Sequence, residues 1–299
     1  MNAQVNLNRS LRSLQRLIRY RDRELIPARL WHQLNWYLQD REYILRWTNK
    51  QLQLDSYYWL FVLGINNSGT TMLSKILSSH PLIRSLPSEG QKLTSALPKS
   101  GDYGVTRLWS SRPDIFYWTE DSDPEPAIRA SYDWAYFYET RPGILMNKSP
   151  QHSLRSLWLQ RNFQPSRFLA IARSPYAVCE GIKRRQGYSI EAAAQHWKST
   201  YERILADKEH LNSFCLLKYE DFCADPIQEI ERIEQFLDLS IPFDRSLLKQ
   251  PVNAHNMDTR PQVIQDFNAK SLERLSPQEI EKIGAIAAPV MAQLGYELK

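Results

Sequence analysis

Cysteine is scarce in this chain: Cys179, Cys215 and Cys223 are the only three in 299 residues. An odd count this low excludes a disulfide framework and points to a reducing compartment. The six histidines form no ligand-spaced cluster with these thiols, so no metal site is expected. No segment approaches the roughly 20 consecutive apolar residues of a membrane span. The first residues lack the basic-then-apolar order of a signal peptide, which makes the cytoplasm the expected location. There is no internal repeat and no low-complexity tract. Neither sign of charge is in large excess: 38 Lys and Arg against 33 Asp and Glu give a net +5. That mild basicity suits an anionic ligand. No recognition helix or RNA-binding aromatic motif accompanies it, so nucleic acid is not an expected partner. Hydrophobic residues make up 42%, enough for one large core with an appendage.

What the chain does have is Phe61-Val-Leu-Gly-Ile-Asn-Asn-Ser-Gly-Thr-Thr71. An apolar run enters a glycine-punctuated turn, and a helix is expected from about Met72. Gly64 and Gly69 carry the G-x-x-x-x-G spacing of a phosphate-binding loop, but Thr70 stands where a Walker lysine would. Such a loop points backbone N–H groups inward, and the following helix adds its dipole, so an anion is held. Without the lysine, the loop suits a nucleotide's 5′-phosphate end better than a triphosphate tail.

Further motifs follow in order. Ser68-Gly-Thr-Thr71, a helix and His80-Pro81 come first. Asn147-Lys-Ser-Pro150 is next. The strand Arg167–Ala172 runs into Arg173-Ser-Pro175, and Leu216-Leu-Lys-Tyr-Glu-Asp221 and Lys270-Ser271 complete the set. Over roughly residues 56–299 this series resembles the sulfotransferases that use 3′-phosphoadenylyl sulfate, of bacterial type, with motifs similar to those of tyrosylprotein sulfotransferases. The resemblance implies an enzyme that moves a sulfuryl group to a hydroxyl of an unspecified acceptor and releases adenosine 3′,5′-bisphosphate. A nucleotide-binding relic without activity and a P-loop kinase of a small molecule are the alternatives.

Strands alternating with helices imply an α/β fold: a three-layer, P-loop-like parallel sheet flanked by helices over 56–299. Strands are expected at Tyr57–Ile65, Ile144–Met146, Arg167–Ala172 and Ser213–Lys218. Helices are expected at Thr71–Ser79, Ser153–Asn162, Tyr176–Arg185, 226–238 and 276–293. Residues 82–105 read mostly as loop. An N-terminal helical extension occupies 1–55. Residues 8–52 read as helical, with Leu11, Leu14, Leu17 and Ile18 on one face, Arg9, Arg12, Arg16, Arg19 and Arg23 around the other, and Pro27 before a second helix. This extension suits either packing on the domain or contact with a membrane surface.

The resemblance also assigns roles. Asn66, Asn67, Ser68, Gly69, Thr70 and Thr71 would hold the 5′-phosphate. Arg173 would read the 3′-phosphate with its planar fork. The family places a serine eight residues later to share that phosphate; here it is Gly181, with Lys183, Arg184 and Arg185 as possible substitutes. Tyr219, Lys270 and Ser271 are further nucleotide contacts by position. The family also has Lys or Arg immediately before S-G-T-T, touching the leaving oxygen, where this chain has Asn67. Lys148 is the expected compensating cation. Glu89 is the expected general base, with Gly90 beside it allowing a sharp turn, and His152 is the alternative base. His80 reads as structural.

Overall fold

The computed structural model describes residues 26–53, 58–249 and 264–299. Of the helical stretch expected over 8–52, the arginine-bearing part with Arg9 to Arg23 lies outside these residues. Five parallel strands form one sheet in the order β2-β3-β1-β4-β5. Their ranges are β1 Trp59–Leu63, β2 Ile83–Ser85, β3 Ile144–Lys148, β4 Ser166–Ala172 and β5 Phe214–Lys218. All five residues of β1 are buried, as expected for a central parallel strand covered on both faces. Its alternation still decides sides. Trp59, Phe61 and Leu63 join Leu145, Phe168 and Ala170 in one core. Leu60 and Val62 join Met146, Leu169, Ile171 and Leu217 in the other.

The helices in chain order are α1 Ile26–Leu38, α2 Arg41–Leu52, α3 Thr70–Ser78, α4 Gly90–Leu93, α5 Pro113–Phe116, α6 Glu125–Ala135 and α7 Ser156–Asn162. They continue with α8 Pro175–Gln186, α9 Ile190–Lys208, α10 Tyr219–Ala224, α11 Pro226–Leu237, α12 Asn268–Leu272 and α13 Pro277–Gln293. The second core receives α3 and α11, and the first receives α8, α9 and α13. This is the expected three-layer arrangement. Among the elements that the pattern reading passes over, two frame the site. One is β2, three residues in the turn-rich segment, which pairs with β3 through Ile83↔Ile144 and Ser85↔Met146. The other is α9, capped by Ser189, whose side chain accepts from the Ala192 N–H. The expected helix at 153–162 splits: Pro150–Leu154 is a 3-10 turn and α7 starts at Ser156.

The described part of the N-terminal region packs on α6. His32 stacks on Tyr132 with ring centroids 3.9 Å apart, and the Tyr132 hydroxyl donates to the His32 carbonyl at 2.8 Å. Gln33 donates to Asp133 at 3.1 Å, and Arg84 donates to the Leu52 carbonyl at 2.9 Å. Burial depresses the His32 imidazole to about 4, so it packs there as a neutral ring. Residues 106–140 are rich in aromatics, and most of these are core: Trp109, Phe116, Tyr132, Trp134 and Tyr138 are all buried.

Candidate active site

In a sheet of this order the chain runs from β1 out to β2 on one side and, after β3, crosses to β4 and β5 on the other, so the winding reverses beside β1. The crevice beyond the carboxyl ends of these strands is where such folds bind ligands. Strand β1 ends at Leu63, β3 at Lys148, β4 at Ala172 and β5 at Lys218. The phosphate loop, the N-K-S-P segment, Arg173 and Tyr219 therefore share one edge of the sheet.

The loop after β1 is built around close approaches. Gly64 has φ 142°, and a Cβ there would lie 2.8 Å from the Ile171 carbonyl oxygen. Its N–H donates to Ser153 Oγ at 2.9 Å. Ser68 is fully buried, and its hydroxyl donates to the Ile65 carbonyl at 2.7 Å, bracing the turn from inside. Gly69 has φ 99°, and a Cβ there would meet the Tyr219 ring at 2.8 Å. Both glycines are thus required by conformation and by space. Thr70 opens α3, and Gly69 is its N-cap. Asn66 Oδ1 accepts from Trp109 Nε1 at 3.1 Å, which ties the loop to the aromatic segment.

Arg173 lies across the Tyr219 ring, its guanidinium carbon 4.1 Å from the ring centroid. Its Nε donates to Asn268 Oδ1 at 2.8 Å and its Nη1 to the Asn67 carbonyl at 3.0 Å. Asn268 in turn donates to Glu220 at 2.6 Å, and Glu220 accepts from the Ser174 N–H and the Tyr296 hydroxyl, both at 2.9 Å. This network fixes the fork of Arg173 at the end of β4. Tyr219 is buried and its hydroxyl donates to the Gln265 carbonyl at 2.8 Å; it is a core residue that also floors the loop. Sequence reasoning passed over Asn268, which belongs to no short motif, and gave no role of its own to Glu220, which lies inside the Leu216–Asp221 motif. Ser271 is buried in α12, three residues past Asn268. Lys270 is exposed, its ammonium 5.5 Å from the Phe267 ring.

Glu89 and Lys148 meet. Lys148 Nζ lies 3.2 Å from Glu89 Oε1, with the two side chains 15% and 18% exposed. Lys92 approaches the other carboxylate oxygen at 2.8 Å. Burial pushes the Glu89 carboxyl up, but the charges of Lys148 and Lys92 outweigh it. The result lies below the ordinary value, so Glu89 stands ionised. Gly90 makes no sharp turn: it is absent from the left-handed residues. Its bareness serves packing instead, because a Cβ there would fall 2.1 Å from Asn147 Oδ1. The Gly90 carbonyl accepts from Trp134 Nε1 at 2.9 Å.

His152 has no exposed surface and packs edge-on against Phe61 and Trp134. Its Nε2 donates to Asn147 Oδ1 at 3.1 Å, and burial holds the ring neutral, far below its ordinary range. It orients Asn147 from the core. His80 is structural, its Nε2 donating to the Ile241 carbonyl at 2.7 Å.

Gly181 and Asn67 are neighbours: a Cβ on Gly181 would lie 2.9 Å from Asn67 Nδ2. Of the three basic residues after Gly181, Lys183 pairs with Glu279 and Arg184 with Glu180. Arg185 is close enough to Arg107 for its charge to act on it. Arg107 itself is a residue that the motifs do not predict, and its Nη1 donates to Asn67 Oδ1 at 3.1 Å. The only signal for it was indirect, the missing cation at position 67. Among the described residues, no group of His, Cys, Asp and Glu is arranged to hold a metal. A cavity of about 290 Å³ between Tyr117, Leu157, Arg203 and Asp207 contains none of the motif residues.

A profile of the Sulfotransferase family matches residues 60–244. A Caenorhabditis briggsae protein provisionally named a protein-tyrosine sulfotransferase is 26% identical over 255 residues, covering 80% of this chain and 89% of its own. The crystal structure of sulfotransferase STF9 from Mycobacterium avium superposes with a TM-score of 0.55 at 17% identity, covering 89% of this chain and 82% of that one. A sulfotransferase domain from the curacin biosynthetic pathway gives 0.53 at 20% identity, over 80% and 98%. The chain belongs to the sulfotransferase family and has its α/β fold. Membership makes it an enzyme of sulfuryl transfer. No helix among the described residues is long and apolar enough to cross a membrane.

Proposed function

We propose that the chain transfers a sulfuryl group from 3′-phosphoadenylyl sulfate to the hydroxyl of a small molecule, glycan or lipid, releasing adenosine 3′,5′-bisphosphate. The observation that carries this reading is the half-buried Glu89–Lys148 pair, 3.2 Å apart, on the sheet edge that also bears the phosphate loop and Arg173. The residues present fit the donor. Gly64 and Gly69 form a cradle that a Cβ would fill. Asn67 Nδ2 and Ser149 Oγ are buried without a hydrogen-bond partner among the described residues, which suits groups awaiting a polar ligand.

In this scheme the loop Ser68–Thr71 grips the 5′-phosphate and Arg173 the 3′-phosphate. The bound donor supplies the sulfuryl group. Glu89 takes the acceptor's proton as the acceptor oxygen bonds to sulfur. The bond from sulfur to the 5′-phosphate oxygen breaks, its electron pair stays with the phosphate, and Lys148 neutralises the charge that develops there. While Lys148 pairs with Glu89, the carboxylate is held ionised; as Lys148 turns to the leaving oxygen, Glu89 regains basicity. The three free cysteines suit a cytoplasmic setting.

The test has two parts. Adenosine 3′,5′-bisphosphate at saturation should raise the melting temperature; a shift with ATP and none with the bisphosphate would overturn the donor assignment. Acceptor mixtures incubated with radiolabelled donor should then yield one sulfated product, identified by its mass.

A further inference from the structure

The family pattern places a cation at position 67 and a serine at position 181, and this chain has Asn67 and Gly181. The fold turns these two departures into one contact. A Cβ on Gly181 would lie 2.9 Å from Asn67 Nδ2 and 3.2 Å from its Cγ, so the asparagine amide fills the volume a serine would need. Asn67 has φ 70°, a left-handed conformation that asparagine adopts more readily than other non-glycine residues. That backbone lets one residue face three ways. Its carbonyl accepts from Arg173 Nη1 at 3.0 Å and its Oδ1 from Arg107 Nη1 at 3.1 Å. Its Nδ2 is buried with no partner among the described residues.

Arg107 lies just before the short 3-10 helix Trp109–Ser111, in a stretch without any motif. Burial lowers its pKa first, the charge of Arg185 lowers it further, and Glu89 opposes both. Two guanidiniums held in range of each other in a half-buried place repel. Negative charge entering beside them relieves that repulsion, which is the electrostatics of an anion site.

We propose that Arg107 supplies the cationic charge that position 67 lacks, with Asn67 as its bracket, and that Gly181 is bare because the Asn67 amide stands in for the serine. The inference rests on the donor reading above. Asn67 Oδ1 holds the Arg107 guanidinium toward the phosphate end of a nucleoside bisphosphate. Its carbonyl holds Arg173, and Nδ2 donates to the same ligand in place of a hydroxyl at 181. The two substitutions are then one exchange: a charged side chain on the loop is replaced by an amide that recruits a charge from another segment.

The experiment measures adenosine 3′,5′-bisphosphate binding by calorimetry on the full chain, at several salt concentrations, for wild type and variants. Arg107→Gln keeps a donor for Asn67 Oδ1 but removes the charge. It should weaken binding about 10–100-fold, the range of a lost charge-assisted hydrogen bond, and flatten the salt dependence. Arg107→Lys should regain part of the loss. Asn67→Ala should cost about tenfold, and combined with Arg107→Gln the losses should fall short of additivity, because the bracket and the charge act together. In Asn67→Lys/Gly181→Ser, which restores the family pattern, Arg107→Gln should cost less than about threefold. Melting curves of the unliganded variants separate loss of binding from loss of fold. Near-wild-type affinity and salt dependence in Arg107→Gln, while Arg173→Ala binds weakly, would overturn the proposal. So would fully additive losses, or Arg107→Lys no better than Arg107→Gln. Failure of the wild type itself to bind would strike the donor reading, a separate result.

Discussion

Gly90→Ala tests how the proposed base is held in place. The added Cβ would lie 2.1 Å from Asn147 Oδ1 and 2.7 Å from its Cγ. Carbon atoms rest about 3.5 Å apart or more, so something must move by nearly an ångström. Neither side yields easily. Asn147 is fully buried and its Oδ1 is held by His152, itself without exposed surface. The Gly90 backbone is held by Trp134 through its carbonyl. Overpacking of this kind costs about 1–3 kcal/mol, and a broken Asn147–His152 hydrogen bond adds about 1 kcal/mol. The expected destabilisation is therefore about 2–4 kcal/mol, which for a chain of this size lowers Tm by about 3–6 °C. Glu89 is the adjacent residue, and a misplacement near 1 Å costs about 10²-fold in turnover. Thermal unfolding and steady-state kinetics with the acceptor found by the screen read the two effects. In an Asn147→Ala background the methyl has room, and Gly90→Ala should then cost less than about 1 kcal/mol. A Gly90→Ala protein that melts within about 1 °C of wild type with unchanged kinetics would refute the reasoning.

Lys148→Ala should cut turnover by about 10² or more. It should also move the acid limb of kcat/KM to higher pH, since burial, the largest influence on the Glu89 carboxyl, would then be opposed mainly by Lys92; an unmoved limb would mean that Lys148 does not set the state of Glu89. Glu89→Gln should leave bisphosphate affinity intact and reduce turnover by about 10²–10⁴, the range for a lost general base. Retained turnover in that variant would remove Glu89 from the mechanism. Arg173→Ala should weaken adenosine 3′,5′-bisphosphate far more than adenosine 5′-phosphate, and equal losses in a binding titration would show that Arg173 does not read the 3′-phosphate.

Strand β1 and the loop after it were legible because their information is local. A buried parallel strand is a run of apolar residues, and Gly64 and Gly69 directly mark two of the loop's three positive-φ positions, the third being Asn67. The same holds for β4 and the arginine that follows it. Helix α9 was not legible, because its buried face is written largely in small or polar residues. Ala193, Ala194, His196 and Thr200 stand beside Trp197, Tyr201 and Ile204, so its apolar stripe is weak. Its place is set by tertiary bonds, Trp197 to the Arg173 carbonyl and Tyr201 to the Ile171 carbonyl, each at 3.0 Å. Strand β2 exists because β3 offers it an edge, which three residues cannot announce. Gly90 was read for its freedom to turn, whereas the fold uses its lack of a side chain. Arg107 and Asn268 reach the site from distant segments, and no spacing rule connects them to Asn67 or Arg173.

The Glu89–Lys148 pair also bears on whether Asn67 and Gly181 mark decay or redesign. A half-buried ion pair is a weak source of stability, because desolvation offsets much of its attraction. Here it sits with a second cation, Lys92, on one carboxylate, while Asn147 beside it keeps an unpartnered buried amide nitrogen. A site drifting from function is under no constraint to hold such an arrangement, and packed apolar residues would serve the fold as well. The two departures behave in the same way. Lost independently, the cation at 67 and the serine at 181 would leave a gap and an uncompensated loop. Instead the Asn67 amide fills the gap over Gly181, and Arg107 brings charge to the loop through the same side chain. Local rules are broken at two positions and repaired at a third, a pattern that belongs to a working site more than to an abandoned one.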